Sequence, residues 1–292
     1  MLKLRRSMLY VPGYKEKFLE KATKTDADCV ILDLQESVPE SDKDRARGLV
    51  KELLMGSDFG SIERIVRVNL LDSQYIEQDI KAMAEAEPDA LIIPKVHSKK
   101  EISKAEELLS RYENELGKPK KVMLMPLIES AKGVFFINEI LSSTNRITAL
   151  CFGKEDLYSD TGATITEDGN EMLYIKSKLV LAAAAFGIDA IDSPSLYTNN
   201  PDLVEKEARR SYVLGFAGAQ VIHPSQIPPV NKAFLPSEKE LEEALEITSG
   251  FKRSMERNEP IFVYKGRMMD LPVVEVYEKI VEKAKAGGMI PQ

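Results

Sequence analysis

The sequence predicts an α/β chain folded as a (β/α)8, or TIM, barrel with a C-terminal helical extension. Three observations point there. Short β-rich runs alternate eight times with charge-decorated amphipathic stretches, and parallel strands joined by crossover helices are what such alternation dictates. The G-x-G-x-x-G turn of an open, doubly wound nucleotide-binding sheet does not follow the first strand. The 292 residues exceed the roughly 250 that a barrel needs, and the surplus lies after the eighth strand.

In chain order, strands are expected over residues 7–11, 29–34, 64–69, 90–94, 122–128, 147–152, 188–191 and 220–222, each an apolar run bounded by polar or turn-forming residues. Helices are expected over 42–55, 73–85, 98–116, 131–141, 170–186 and 202–214. Beyond the eighth strand a stretch punctuated by Pro224, Pro228, Pro229 and Pro236 leads to a helix over 238–257, a strand over 262–265 and a helix over 273–286. Residues 1–225 are read as the catalytic barrel, and 226–292 as an extension packing on the barrel or on a neighbouring subunit.

Composition narrows the function classes. Forty basic residues stand against 47 acidic ones and are scattered, which argues against nucleic acid as a ligand. No apolar run approaches the roughly 18 residues of a membrane span, and the start MLKLRRSMLYVPG lacks the apolar stretch of a secretory signal. Cys29 and Cys151 each sit inside an apolar run, where a thiol acts as a small buried hydrophobe. With only His97 and His223 beside them, a zinc site is excluded and a cytoplasmic, reducing address is expected.

Barrel enzymes carry their working residues at the C-terminal strand ends. Those ends hold Asp33 and Glu36, Arg67 and Asn69, Lys95, Glu129, Glu155 and Asp156, and His223. Glu129 and Asp156, from adjacent strand ends, can hold Mg2+ through oxygen donors, or they can cap the helices they precede. Arg67 is either a planar fork for an anion or an internal partner of Asp33 or Glu36. His223, before Pro224, reads better as a turn residue than as a base. The polar run from Gly153 through Asn170 is a long rim loop, a lid or a surface excursion.

Nine motifs, in order, then carry a resemblance: RRSMLYVPG, LDLQESV, RVN, IPKV, LIESAKG, FGKEDL, IDSPS, GFAGAQVIHPSQI and GRMMDLP. From about residue 5 to residue 285 the chain resembles the citrate lyase β-subunit-like branch of the HpcH/HpaI aldolase superfamily, which includes malyl-CoA, citramalyl-CoA and citryl-thioester lyases. The resemblance implies a Mg2+-dependent, reversible Claisen-type cleavage of a CoA thioester into acetyl-CoA and a 2-oxo acid. It implies Glu129 and Asp156 as metal ligands and Arg67 as the substrate-orienting arginine. It also promotes Asp270, by itself a helix N-cap candidate, to a catalytic acid that reaches the site of an adjacent subunit in a homotrimer or hexamer.

Two departures stand out. Asp33-Leu34-Gln35-Glu36 replaces the family's common D-L-E-D, so Glu36 takes the place of a carboxylate that orders the metal's waters. Ala219 stands where a lysine is frequent. The expected site thus comprises Arg67, Asp270 and Glu36 as catalytic residues, Arg67, Arg6 and Asn69 at the substrate, and Glu129 and Asp156 at the metal. Arg5, Arg6 and Lys15 are expected partners for CoA phosphates. A thioesterase or malate-synthase-like outcome on the same site, and a citrate lyase subunit acting on an acyl-carrier protein, are the alternatives.

Overall fold

The computed structural model describes residues 3–118 and 122–291. Eight parallel strands close a barrel in sequence order: β1 (Ser7–Pro12), β2 (Cys29–Asp33), β3 (Glu63–Arg67), β4 (Ala90–Ile93), β5 (Met123–Ile128), β6 (Ala149–Phe152), β7 (Asp189–Asp192) and β8 (Gly218–Val221). The predicted barrel is therefore present. Its crossovers are α1 (Glu16–Ala22), α2 (Lys43–Gly56), α3 (Ile76–Ala86), α4 (Lys99–Glu115), α5 (Ala131–Phe135), α6 (Ile137–Leu141), α7 (Lys154–Thr161), α8 (Leu173–Phe186) and α9 (Pro201–Leu214).

Alternate strand residues point inward and fill the barrel with Met8, Cys29, Ile31, Ile65, Ala90, Ile92, Met125, Leu127, Ala149, Cys151 and Ile191. Both thiols are free and buried there. The barrel closes where Ser7 of β1 pairs with Ala219 of β8. At that seam Gly218 is obligatory, because a Cβ there would lie 1.7 Å from the Arg5 carbonyl oxygen.

The N-terminal end of the barrel is sealed by charge. Arg5 donates to Glu63 at 2.7 and 2.9 Å, to Asp189 at 2.7 Å and to the Thr148 hydroxyl at 3.0 Å. Arg6 forms a fork with Asp28 at 2.8 and 2.7 Å. Both arginines precede β1, so they sit at the end opposite the C-terminal rim. There they have carboxylate partners of their own.

Several elements depart from the expected boundaries: the helix expected over 131–141 is broken at Phe136 into α5 and α6, the third strand ends at Arg67 rather than at residue 69, and the eighth is Gly218–Val221 rather than 220–222. α1 is an extra short helix, legible in hindsight from the spacing of Phe18, Leu19 and Ala22. The polar run after β6 begins as helix α7, ended by Gly162 in the left-handed region (φ 69°), and only its second part is loop.

The chain divides into two compact units, Arg5–Asn231 and a second built on the residues from Lys232 onward. α10 (Ile227–Ala233) lies at the junction. The second unit holds α11 (Glu238–Glu256), the antiparallel hairpin β9 (Phe262–Tyr264) and β10 (Arg267–Met269), and α12 (Leu271–Ala286). Ile247, Met269 and Val274 are its core, flanked by Phe251, Phe262, Tyr264 and Tyr277. β10 has no counterpart in the sequence reading. The hairpin turns on Lys265 and Gly266, both at positive φ, the backbone of a tight two-residue connection.

Candidate active site

At the C-terminal rim the strand ends deliver a connected set of charged groups. Asp33 closes β2 and is buried; it accepts hydrogen bonds from Gln35 N and Ser37 N, both at 2.9 Å, and from Arg67 Nε (2.7 Å) and Nη2 (2.8 Å). Burial alone would push this carboxyl up. The Arg67 fork and the Ser37 and Gln35 donors outweigh it and hold Asp33 below its usual value. Arg67 Nη1 also donates to Glu36 at 3.0 Å. Both internal partners read from the sequence are thus real. A guanidinium carries five N–H bonds, and these contacts use three. Two remain for a ligand.

The face of that guanidinium is covered too: Arg67 Cζ lies 4.6 Å from the centre of the Tyr10 ring. Tyr10 in turn donates to Gln220 Oε1 at 2.8 Å, and Gln220 Nε2 donates to the carbonyls of Phe152 and Asp192. This layer ties β1, β3, β6, β7 and β8 together beneath the rim. Burial pushes the Tyr10 phenol far up, so it remains a neutral donor.

Asn69, expected at the substrate, is a correction. Its side chain is buried and spent internally: Oδ1 accepts from Lys43 Nζ at 2.8 Å, and Nδ2 donates to Asp79 at 2.7 Å. Asp79 is itself fully buried, accepts from Asn69 N and pairs with Arg47 at 2.7 Å. Lys43 also donates to the carbonyls of Leu34 (2.9 Å) and Gln35 (2.5 Å). The amide therefore braces the loop that carries Glu36. Arg6 is a second correction, because its fork to Asp28 lies at the other end of the barrel.

Glu129 follows β5 and is 8% exposed. It accepts from Lys95 N at 2.8 Å, and its side chain lies directly against Gly153, where a Cβ would stand 2.8 Å from Oε2. Asp156, in the first turn of α7, stands close enough for its charge to act on Glu129, and Lys95 touches both acids. Burial, then the charges of Asp156 and Glu36, raise the Glu129 carboxyl to about 7 against the opposing pull of the Lys95 N–H. Lys95 Nζ stands 3.5 Å from Asp156. Arg67, Glu36, Glu129, Asp156 and Lys95 thereby form one electrostatic unit.

Among the described residues no three His, Cys, Asp or Glu side chains converge as a ready-made metal cage. A carboxylate pair whose members repel each other still fits a hard cation that completes its shell with water and substrate oxygens. His223 is exposed and caps the turn after β8, its Nδ1 2.8 Å from Ser225 Oγ. Asp270 lies in the second unit, where it caps α12 by accepting from Val273 N at 3.3 Å. Tyr10, Gln220 and Lys43 were not singled out from the sequence; only the inward parity of Tyr10 with Met8 on β1 signals one of them.

Fold and comparisons together define a carbon–carbon lyase on a (β/α)8 barrel. The chain belongs to the HpcH/HpaI aldolase/citrate lyase family, whose model matches residues 6–224. The citrate lyase subunit beta of Leuconostoc mesenteroides subsp. cremoris is 34% identical over 289 residues, covering 99% of this chain and 96% of that protein. The mitochondrial citramalyl-CoA lyase of Rattus norvegicus is 32% identical over 290 residues, covering 96% and 86%. The crystal structure of protein CitE from Mycobacterium tuberculosis, in complex with magnesium, acetoacetate and coenzyme A, matches with a TM-score of 0.80 at 27% identity, over 96% of this chain and 98% of that one. Among the described residues no helix is long and apolar enough to cross a membrane.

Proposed function

We propose that this chain is a Mg2+-dependent lyase that reversibly cleaves a carboxylate-bearing 3-hydroxyacyl-CoA thioester, of the malyl-, citramalyl- or citryl-CoA type, into acetyl-CoA and a 2-oxo acid. The observation that carries this reading is the continuity of Arg67, Glu36, Glu129 and Asp156 at one end of the barrel. Relatives that act on citramalyl-CoA, and a neighbour that holds magnesium and coenzyme A, support it.

Glu129 and Asp156 would hold the cation. Bound there, Mg2+ supplies Lewis-acid stabilisation of negative charge on the substrate's hydroxyl oxygen. Arg67 directs its two unspent N–H bonds at the thioester oxygen as that oxygen becomes an enolate, and Asp33 and Tyr10 keep the fork from reorienting. Glu36 orders water on the open side of the site. Asp270, contributed by a neighbouring subunit, moves the proton to or from the acetyl methyl group. Of the three cations expected for CoA phosphates, Lys15 alone follows β1 and so stands at the rim.

This reading includes a homotrimer or hexamer in the cytoplasm, with an acyl-carrier protein as the alternative thioester carrier, a choice kept open by the similarity to a citrate lyase subunit beta. The test is a coupled assay of the purified protein with Mg2+ against malyl-CoA, citramalyl-CoA and citryl-CoA. Release of acetyl-CoA with a stoichiometric 2-oxo acid is expected. Free CoA without acetyl-CoA would instead mark a thioesterase, and activity confined to a carrier-protein thioester would mark a lyase-complex subunit.

A further inference from the structure

The residue after β4 and Pro94 has no role in the chemistry above, yet it touches both carboxylates of the rim. Lys95 adopts a left-handed backbone (φ 50°), a region that an L side chain enters only at a cost. In that conformation its N–H meets Glu129 Oε1 at 2.8 Å. Its side chain runs to the other acid, with Nζ 3.5 Å from Asp156 Oδ2. Main chain and side chain of one strained residue thus divide the pair between them.

We propose that Lys95 is a positioning residue of the metal site, whose N–H orients Glu129 and whose ammonium is the counter-ion of Asp156 that a divalent cation displaces and that then meets the substrate carboxylate. This rests on the reading of Glu129 and Asp156 as the metal pair. Both side chains of the ion pair are well exposed, 38% for Lys95 and 42% for Asp156, so the ammonium can leave the acid without being stranded away from water. A pair this exposed is held weakly. A divalent ion on the same oxygens outcompetes it. The freed ammonium stays at the rim because the Lys95 backbone remains tied to Glu129, and a fixed positive charge beside the cation is what an incoming carboxylate requires.

The test follows Mn2+ binding to the metal-stripped full chain by electron paramagnetic resonance, together with melting temperature and steady-state kinetics. It compares wild type with Lys95→Gln, Lys95→Gly and Lys95→Arg. Glycine keeps the N–H and accepts the left-handed backbone without strain. Mn2+ should bind about two- to fivefold tighter in the Gln and Gly variants and as in wild type in Lys95→Arg. In Lys95→Gln, KM should rise about tenfold while kcat changes less. Unchanged or weaker Mn2+ binding in Lys95→Gly overturns the counter-ion role, as does a loss of affinity shared by all three variants with a lowered melting temperature. A fall in kcat at constant KM overturns the substrate contact. A wild type that binds no Mn2+ overturns the metal pair itself, and the role of Lys95 with it.

Discussion

Gly153 and Glu129 are packed so closely that the backbone after β6 forms one wall around the carboxylate ending β5: a Cβ at position 153 would stand 2.9 Å from Glu129 Cβ and 2.8 Å from Oε2. Gly153 has an ordinary extended backbone (φ −117°, ψ 101°), so the requirement for glycine is purely one of space. Gly153→Ala should push Glu129 off its bond to Lys95 N and cost about 1–3 kcal/mol by overpacking, read as a drop in melting temperature. Repeating it in a Glu129→Gly background, which removes both the Cβ and the carboxylate, should abolish most of that cost. Equal costs in both backgrounds would refute the packing argument.

Arg67→Lys is expected to lower kcat/KM by about 2–4 kcal/mol, the order seen when one oxyanion stabiliser is removed. A single ammonium cannot span Asp33, reach Glu36 and still present two parallel donors. Wild-type kinetics in this variant would remove Arg67 from the mechanism.

Cation binding should be linked to protons through Glu129. Its carboxyl stands near 7 in the folded chain, against 4.5 for a free glutamate, so the folded state holds the extra proton between those values. The metal-free protein is then stabilised by this group below about 4.5 and loses that stability as pH rises through about 7. Mg2+ should counter the loss. Its affinity should fall up to about tenfold per pH unit below 7 and level off above, which calorimetry in two buffers of different ionisation heat would resolve. Glu129→Gln should flatten the profile.

If Asp270 serves a neighbour, each site is composite, and two inactive variants should complement. Asp156→Ala protomers carry a sound Asp270, and Asp270→Ala protomers carry a sound metal pair. Co-refolded mixtures should recover a fraction of activity set by random assortment around a closed ring. No recovery, with mixed oligomers confirmed by native mass spectrometry, would confine Asp270 to its own protomer or to a capping role.

Strand runs such as CVILD and LMPLI are buried throughout, and their apolar continuity announces a parallel barrel. Glu129 and Asp156 are legible because a charge ending such a run must face the rim. Asn69 follows Arg67 at the right parity to look like a rim residue, yet Asp79 and Lys43 on two different helices capture both ends of its amide, and no local pattern reports them. Arg6 departs from expectation for a simpler reason. It precedes β1, so it belongs to the end where strands begin. Lys43 folds back on the carbonyls of the loop before its own helix and reaches Asn69, and Gln220 pairs with Tyr10 on the adjoining strand β1, contacts that periodicity does not reveal.

The seam between β1 and β8 has a consequence for how the chain is made. Ser7 leaves the ribosome early, but its partner Ala219 emerges about 210 residues later. At about 5–20 residues per second the outer edge of β1 waits for about 10–40 s, its backbone donors and acceptors unclaimed. Throughout that interval the nascent chain offers a sticky strand edge to any other chain nearby. The exposure of that first edge ends only when Gly218 lets the last strand slide in against Arg5.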